Sequence, residues 1–134
     1  MATLGLSSAN LADVFLNLIR GTNATAPTLI AVKLHTADPG ASGATAAAAG
    51  DTTRKTATFA APSGTTTRSI ALTASPAAWT NGGTSETLSH ISVWDSTSAG
   101  NFLWDAALSA TQAWISTNTF TLTTLGVSIT PVAT

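Results

Sequence analysis

Two histidines, His35 and His90, are the side chains best suited to acid–base or metal chemistry, and each lies inside a predicted strand. Neither has a cysteine, a second histidine or a carboxylate at a local spacing typical of metal ligands. Asp38 could accept a hydrogen bond from the His35 imidazole, but a polar residue at the end of a strand is the simpler interpretation. The chain also contains no cysteine, which excludes disulfides, thiolate metal sites and a cysteine nucleophile.

Two carboxylates, Asp95 and Asp105, flank a predicted hairpin turn and could in principle act as a general acid and base. Aspartate is also common where a strand enters a turn, and we favour a turn-capping role for both. No Gly-x-Ser-x-Gly elbow and no glycine-rich phosphate loop is present. We therefore expect no catalytic, cofactor-binding or metal-binding residues, no cofactor and no enzymatic activity.

Charge is scarce: 8% of the residues are charged and the formal net charge is −1. The cations Arg54, Lys55 and Arg68 are too few for a groove that follows nucleic-acid phosphates. No run of about 18 apolar residues is present, so no membrane-spanning helix is expected, and the start of the chain lacks the basic segment of a secretory signal. A surface with so little charge is either covered by hydroxyl groups or covered by a partner.

The one helix signal lies near the start of the chain, and we place the helix at residues 7–21. Leu11, Phe15 and Leu18 recur at helical spacing and form an apolar stripe, while Gly21 can supply the left-handed stop. One interpretation is that the helix covers an end of the β core. The alternative is an arm that docks on another subunit.

The rest of the chain reads as strands separated by turn residues. Alternating apolar residues predict strands within residues 28–36, 55–60, 67–74, 86–95, 101–108, 113–116 and 118–130. We predict a mainly β fold, an antiparallel β-sandwich or small barrel of about seven or eight strands with one N-terminal α-helix. Residues 1–134 form a single domain, with the sandwich at 28–130 and a flexible loop at 37–53.

Four tryptophans remain as candidates for binding, since each buries a large area while keeping one hydrogen-bond donor. We predict that Trp94 and Trp104 pack in the core. Trp79 and Trp114 lie among small polar residues near strand ends, and we predict that they contact another subunit. A set of aromatic rings can alternatively form a sugar-binding platform. The candidate interface residues are thus Leu11, Phe15, Leu18, Trp79 and Trp114.

Four blocks of the chain resemble a family of short phage structural proteins labelled tail fibre or minor tail protein. They are AVKLHTADPG at 31–40, TFAAPSG at 58–64, HISVWD at 90–95 and GNFLW at 100–104. The blocks keep the family's order and rough spacing, and an amphipathic helix precedes them there as here. The loop after Gly40 departs from the family pattern. The family has no known catalytic residues that could be transferred.

The resemblance implies a virion protein made in the host cytoplasm. Small size, low charge and the absence of a fibrous repeat favour a capsid decoration, or cement, protein on the capsid surface over a minor tail or tail-fibre protein with a receptor- or glycan-facing surface. Expected partners are the major capsid protein or other virion proteins and further copies of the chain, for example in a trimer. No nucleic acid or membrane is expected as a partner. A carbohydrate-binding module outside a phage remains a further alternative.

Overall fold

The computed structural model describes residues 5–130, so residues 1–4 and 131–134 of the predicted domain lie outside it. A π-helical segment, Ser8–Ala12, leads directly into helix α1, Asp13–Ile19. Eight strands follow. They are β1 Ile30–His35, β2 Lys55–Phe59, β3 Arg68–Ala74, β4 Trp79–Thr80, β5 Glu86–Trp94, β6 Phe102–Trp114, β7 Thr119–Phe120 and β8 Gly126–Ile129.

Six of the strands form one antiparallel sheet in the order β6-β5-β1-β2-β3-β8, which is curled into half a barrel. Strands β4 and β7 pair separately. The mainly β fold with about eight antiparallel strands and one N-terminal helix, which the alternating pattern predicted, is therefore confirmed. Strand β5 lies between β6 and β1, as expected for a strand that is apolar on both faces.

The main core lies on one face of the β1–β5–β6 region, called here the core face. Val32 pairs with Val93 and Leu34 with Ile91 across β1 and β5. Directly paired residues point to the same side of a sheet, and all four side chains are essentially inaccessible to solvent. Burying such branched side chains contributes about 1.5–3 kcal/mol each to the free energy of unfolding.

Residues 86–108 form the predicted hairpin, but β6 is longer than expected. The pattern predicted a strand ending at 108 and a separate segment at 113–116, whereas β6 runs without interruption to Trp114. The register with β5 shifts between Leu88 and His90. A bulge inserts residues without ending the pairing, so the two predicted segments are parts of one strand.

The alternation of apolar residues changes phase around residues 124–126, and this change has a structural cause. The chain leaves the small sheet after Phe120 and rejoins the large sheet at Gly126, where β8 begins opposite β3. A Cβ atom at Gly126 would lie 2.6 Å from the Ile70 carbonyl oxygen. Only glycine permits the two backbones to approach this closely.

Residues 37–53 contain no strand or helix, and they fold back onto β1. Thr36 N–H donates to Ala46 O at 2.9 Å and Ala48 N–H donates to Leu34 O at 3.0 Å. Gly43 is buried against the Phe102 ring. The flexibility of this loop stays a prediction. Residues 43–45 lie against the face of the sheet opposite the core face, while Ala48 joins the core.

Candidate functional site

The histidine that could have done chemistry, His35, is instead fully buried in a hydrogen-bond chain. Its Nδ1 lies 2.8 Å from Thr45 O, and its Nε2 lies 2.7 Å from Ser92 Oγ. A carbonyl oxygen can only accept, so Nδ1 carries the proton and Nε2 accepts from the Ser92 hydroxyl. Ser92 Oγ in turn accepts from Trp94 Nε1 at 2.7 Å. Each member therefore has a partner, as expected of a buried polar group.

Positive charge gathers beside this chain of hydrogen bonds. Arg54 lies with its Cζ 3.6 Å from the centre of the Trp94 ring, a cation–π contact, and its Nη1 donates to Ser96 O and Ala99 O. Burial lowers the pKa of Lys33, and the Arg54 cation lowers it further. Burial also lowers the pKa of His35, so this imidazole stays neutral beside the cations.

The two carboxylates, Asp95 and Asp105, have different surroundings. Asp95 caps the hairpin turn as predicted, since its oxygens accept from Asn101 N at 2.6 Å and Asn101 Nδ2 at 2.8 Å. Asp105 does not cap a turn: it lies within β6 opposite Ser92, where it is 5% exposed. Its Oδ1 accepts from Gly5 N at 2.6 Å, and its buried Oδ2 has no hydrogen-bond partner among the described residues.

Residues 5–130 contain neither a cluster of metal ligands nor a membrane-spanning helix. No group of three or more His, Asp or Glu side chains there is placed to share a metal ion. Within the same range, no helix has the length and apolar character required to cross a membrane.

The structure corrects the prediction that Trp79 and Trp114 contact another subunit. Trp79 is 0% exposed and Trp114 is 1% exposed. The Trp79 Nε1 donates to Thr53 O and the Trp114 Nε1 donates to Asn118 O, each at 3.0 Å. The physical reason is tertiary: distant loops close over both strand ends, so the small polar sequence neighbours do not mark a surface.

A buried asparagine, Asn81, connects the segment of Trp79 to that of Trp114. Asn81 Nδ2 donates to Trp114 O at 2.7 Å and to Thr84 O at 3.1 Å. Its backbone also pairs with that of Asn118. Trp94 and Trp104, each 8% exposed, pack in the interior as predicted.

The N-terminal helix carries the surface that the sequence prediction left open. Phe15 is 50% exposed and Leu18 is 59% exposed, and Leu16 and Ile19 are exposed as well. Helix α1 has no buried residue. Of the three helical residues in the predicted interface set, Leu11 alone is partly buried and packs against the core. The interpretation that this helix mainly covers the β core is therefore wrong, and we call residues 15, 16, 18 and 19 the apolar ridge.

A groove of about 700 Å³ opens between β6 and residues 120–126. Its walls are mostly alanine, leucine and threonine side chains, together with Ile91, Ser109 and Gln112, and no charged residue lines it. Phe120 is the one aromatic residue in the lining, and its ring packs against Trp79 with a centroid distance of 6.2 Å. The groove thus lacks the open aromatic platform on which sugars stack.

The fold and the surface define a class: a small antiparallel β protein with an exposed apolar helix and a buried, fully paired histidine. A family model described as "Podophage GP4 fiber I protein gp80" matches residues 6–130. The chain belongs to this family and is a structural protein of a phage virion. Among curated proteins, no match to the chain was found. The likeness of the separate blocks, LHTADPG included, stays a resemblance.

Proposed function

We propose that the chain is a fibre-type subunit of a podophage virion. The observation that carries this proposal is the family match over residues 6–130, whose description names a fibre protein. In this role the chain has no enzymatic activity and acts only by binding other virion proteins. This reverses the order expected from size and charge, which favoured a capsid decoration protein.

The apolar ridge is the surface by which the subunit attaches. Its side chains are 50–73% exposed on a helix that none of the β strands buries. An exposed cluster of large apolar groups is a mark of a protein–protein contact. Other virion proteins and further copies of this chain are the partners that such a surface fits.

Capsid decoration is the second candidate, and one feature favours it. Within residues 5–130 six strands build one curled sheet and two strands a small separate one, with no repeated unit of the kind that extends a fibre. A decoration protein stabilises the shell because it binds the assembled state alone. A globular subunit with little charge suits close packing around a symmetry axis.

Counting copies in purified virions separates the two candidates. Heavy-isotope peptides of the chain and of the major capsid protein give their ratio by mass spectrometry, and antibodies against the chain show its position by electron microscopy. A fibre subunit gives few copies and label at the tail. A copy number close to that of the capsid protein, with label over the whole shell, would reject the fibre and favour decoration.

A glycan-facing surface is tested separately, because all four tryptophans are less than 9% exposed. Tryptophan fluorescence is therefore a poor reporter of sugar binding here. Titration calorimetry with soluble glycans of the host surface is the better measurement. Heat of binding that Phe120→Ala abolishes would support a glycan role for the groove, and no heat across the panel would remove it.

A further inference from the structure

The groove between β6 and residues 120–126 is a part of the core that the chain leaves uncovered. Four of the large apolar side chains in its lining pack against the core and are nevertheless only half-buried: Leu72, Leu108, Phe120 and Leu125. The space in front of them measures about 700 Å³, which is in the size range of binding pockets. Apolar surface gains free energy when it leaves water, so an apolar occupant stabilises this region.

The apolar ridge on helix α1 is a second surface without a cover. Phe15, Leu18 and Ile19 are all exposed, and they lie at positions i, i+3 and i+4, the spacing with which a helix presents its anchors to a hydrophobic groove. The ridge carries no charged residue, and the lining of the groove carries none either. Joining the two surfaces therefore leaves no charge buried without a partner.

The N-terminal arm, residues 5–12, holds the ridge away from the groove of its own chain. The arm lies antiparallel along β6, because Gly5 O accepts from Asp105 N–H at 3.2 Å and Asn10 Nδ2 donates to Phe102 O at 2.9 Å. It thus runs towards the start of β6. The groove is at the other side of Asp105, since its β6 wall lies between residues 106 and 112.

The lengths of the two elements show that the gap is not bridged within one chain. Leu108 and Gln112 lie about 20 and 33 Å beyond Phe102, because each residue of a strand adds about 3.3 Å. From Asn10 to Ile19 a helix advances only about 14 Å. Among the described residues, none of α1 lines the groove. With the arm docked, a groove is therefore filled by the ridge of a different chain.

We propose that the apolar ridge of each copy docks in the groove of a second copy. The contact is head-to-tail, because the ridge and the groove are different surfaces, and it either closes into a ring or continues as an open row. A subunit without an internal repeat can build an extended part of a virion in this way. The inference rests on the attachment role that the proposed function gives to the ridge, and it names the partner as a second copy.

Two substitutions at exposed positions separate the ridge from the groove. Phe15→Lys places a charge on the ridge and leaves the groove intact, whereas Ala110→Arg places a long charged side chain in the groove lining and leaves the ridge intact. Sedimentation velocity measures each variant alone, the two in equimolar mixture, and the unchanged chain. Ala113→Arg, which is exposed on β6 but outside the groove lining, is the matched control, and circular dichroism verifies that each protein folds.

The mixture gives the result that is specific to this contact. We expect the unchanged chain and Ala113→Arg to form assemblies larger than a dimer as the concentration rises, while Phe15→Lys and Ala110→Arg each stay monomeric alone. Mixed together, these two variants should form dimers, because the intact ridge of one fits the intact groove of the other. Growth should stop there, since the remaining ridge and groove are both blocked. A mixture that stays monomeric would overturn the proposal.

Two further outcomes would also contradict the docking of ridge and groove. If either variant alone associates as well as the unchanged chain, the contact lies elsewhere. If the unchanged chain stays monomeric, the ridge does not bind a second copy, while the proposed function still stands on the copy number and position in the virion. Ile19→Lys takes the place of Phe15→Lys should that variant not fold, since Ile19 is 73% exposed and a cation in the last turn suits the helix dipole.

Discussion

His35 Nε2 lies 2.7 Å from Ser92 Oγ, and this bond joins β1 to β5 inside the covered face of the sheet. Thr45 O fixes the proton on the other imidazole nitrogen, and Trp94 Nε1 completes the chain of bonds at Ser92. The residue that first suggested chemistry is a fully paired structural histidine. Its effect on the protein is on stability and on the response to pH.

Ser92→Ala tests this relationship directly. The change leaves His35 Nε2 and Trp94 Nε1 buried without a partner, so we expect the free energy of unfolding to fall by about 1–3 kcal/mol. Urea unfolding followed by circular dichroism measures the change. Ser98→Ala, at an exposed turn position, is the matched control and should leave stability within about 0.5 kcal/mol. Equal effects of the two substitutions would contradict the account.

Stability should fall at acidic pH because of His35. Burial lowers its pKa in the folded state, so below about pH 6.5 the unfolded chain binds a proton that the folded chain does not. Above that pH the ionisation of His35 does not change the free energy of unfolding. It decreases as the pH drops from there toward the lowered folded-state pKa, by at most about 1.4 kcal/mol per pH unit.

The His35→Gln variant provides the control for this pH effect. Carboxylates elsewhere also contribute to acid unfolding, so the measured quantity is the difference between the two proteins in a urea series from neutral to mildly acidic pH. We expect the variant to lose the part of the slope that is due to His35. Parallel curves for the two proteins would show that His35 is not held neutral by the fold.

Gly43→Ala should destabilise the loop that covers the sheet. Gly43 has a φ of +68°, and an added methyl group would overlap the Phe102 ring. Overpacking of this kind costs about 1–3 kcal/mol. At Gly82 the nearest atom to an added Cβ is 3.6 Å away, so Gly82→Ala is the matched control. Thermal unfolding of both variants measures the effect, and we expect a lower midpoint for Gly43→Ala alone. An unchanged midpoint for Gly43→Ala would show that the loop does not pack as described.

Trp79→Ala and Phe15→Ala distinguish a residue that stabilises the core from one that contributes to assembly through the apolar ridge. Trp79 is fully buried and Phe15 is half exposed. We expect the first change to cost about 3–5 kcal/mol and the second to leave stability within about 0.5 kcal/mol, while Phe15→Ala weakens incorporation into virions or oligomers. If Trp79→Ala left stability intact and abolished assembly, the original interface prediction for this residue would stand after all.

Local pattern was enough to predict strands β1, β2, β3 and β5 and the turn between β5 and β6. The alternation in residues 28–36 and 86–95 matches β1 and β5 within two residues at each end, because one face of each strand must meet the core. The Asp95 cap also follows from local chemistry, since its partner Asn101 lies across one short turn.

The burial of Trp79 and Trp114 could not be predicted in this way. The fold brings Thr53 to Trp79 and Asn81 to Trp114 from other parts of the chain, and Asn118 meets the Trp114 ring across a turn. The apolar stripe of the helix was predicted from the sequence, but its exposure was not. A period of 3.6 residues shows which side of a helix avoids water, but it does not show whether the same chain or another one provides the cover.

A cryo-electron microscopy map of the intact virion tests the central claim, that this chain is a fibre-type structural subunit, most directly. The account predicts that the curled six-stranded sheet with its N-terminal helix fits density at the tail, with residues 15–19 against a neighbouring protein chain. Density for the same fold distributed over the capsid shell would contradict the fibre assignment. Its absence from the particle altogether would contradict a structural role in the virion.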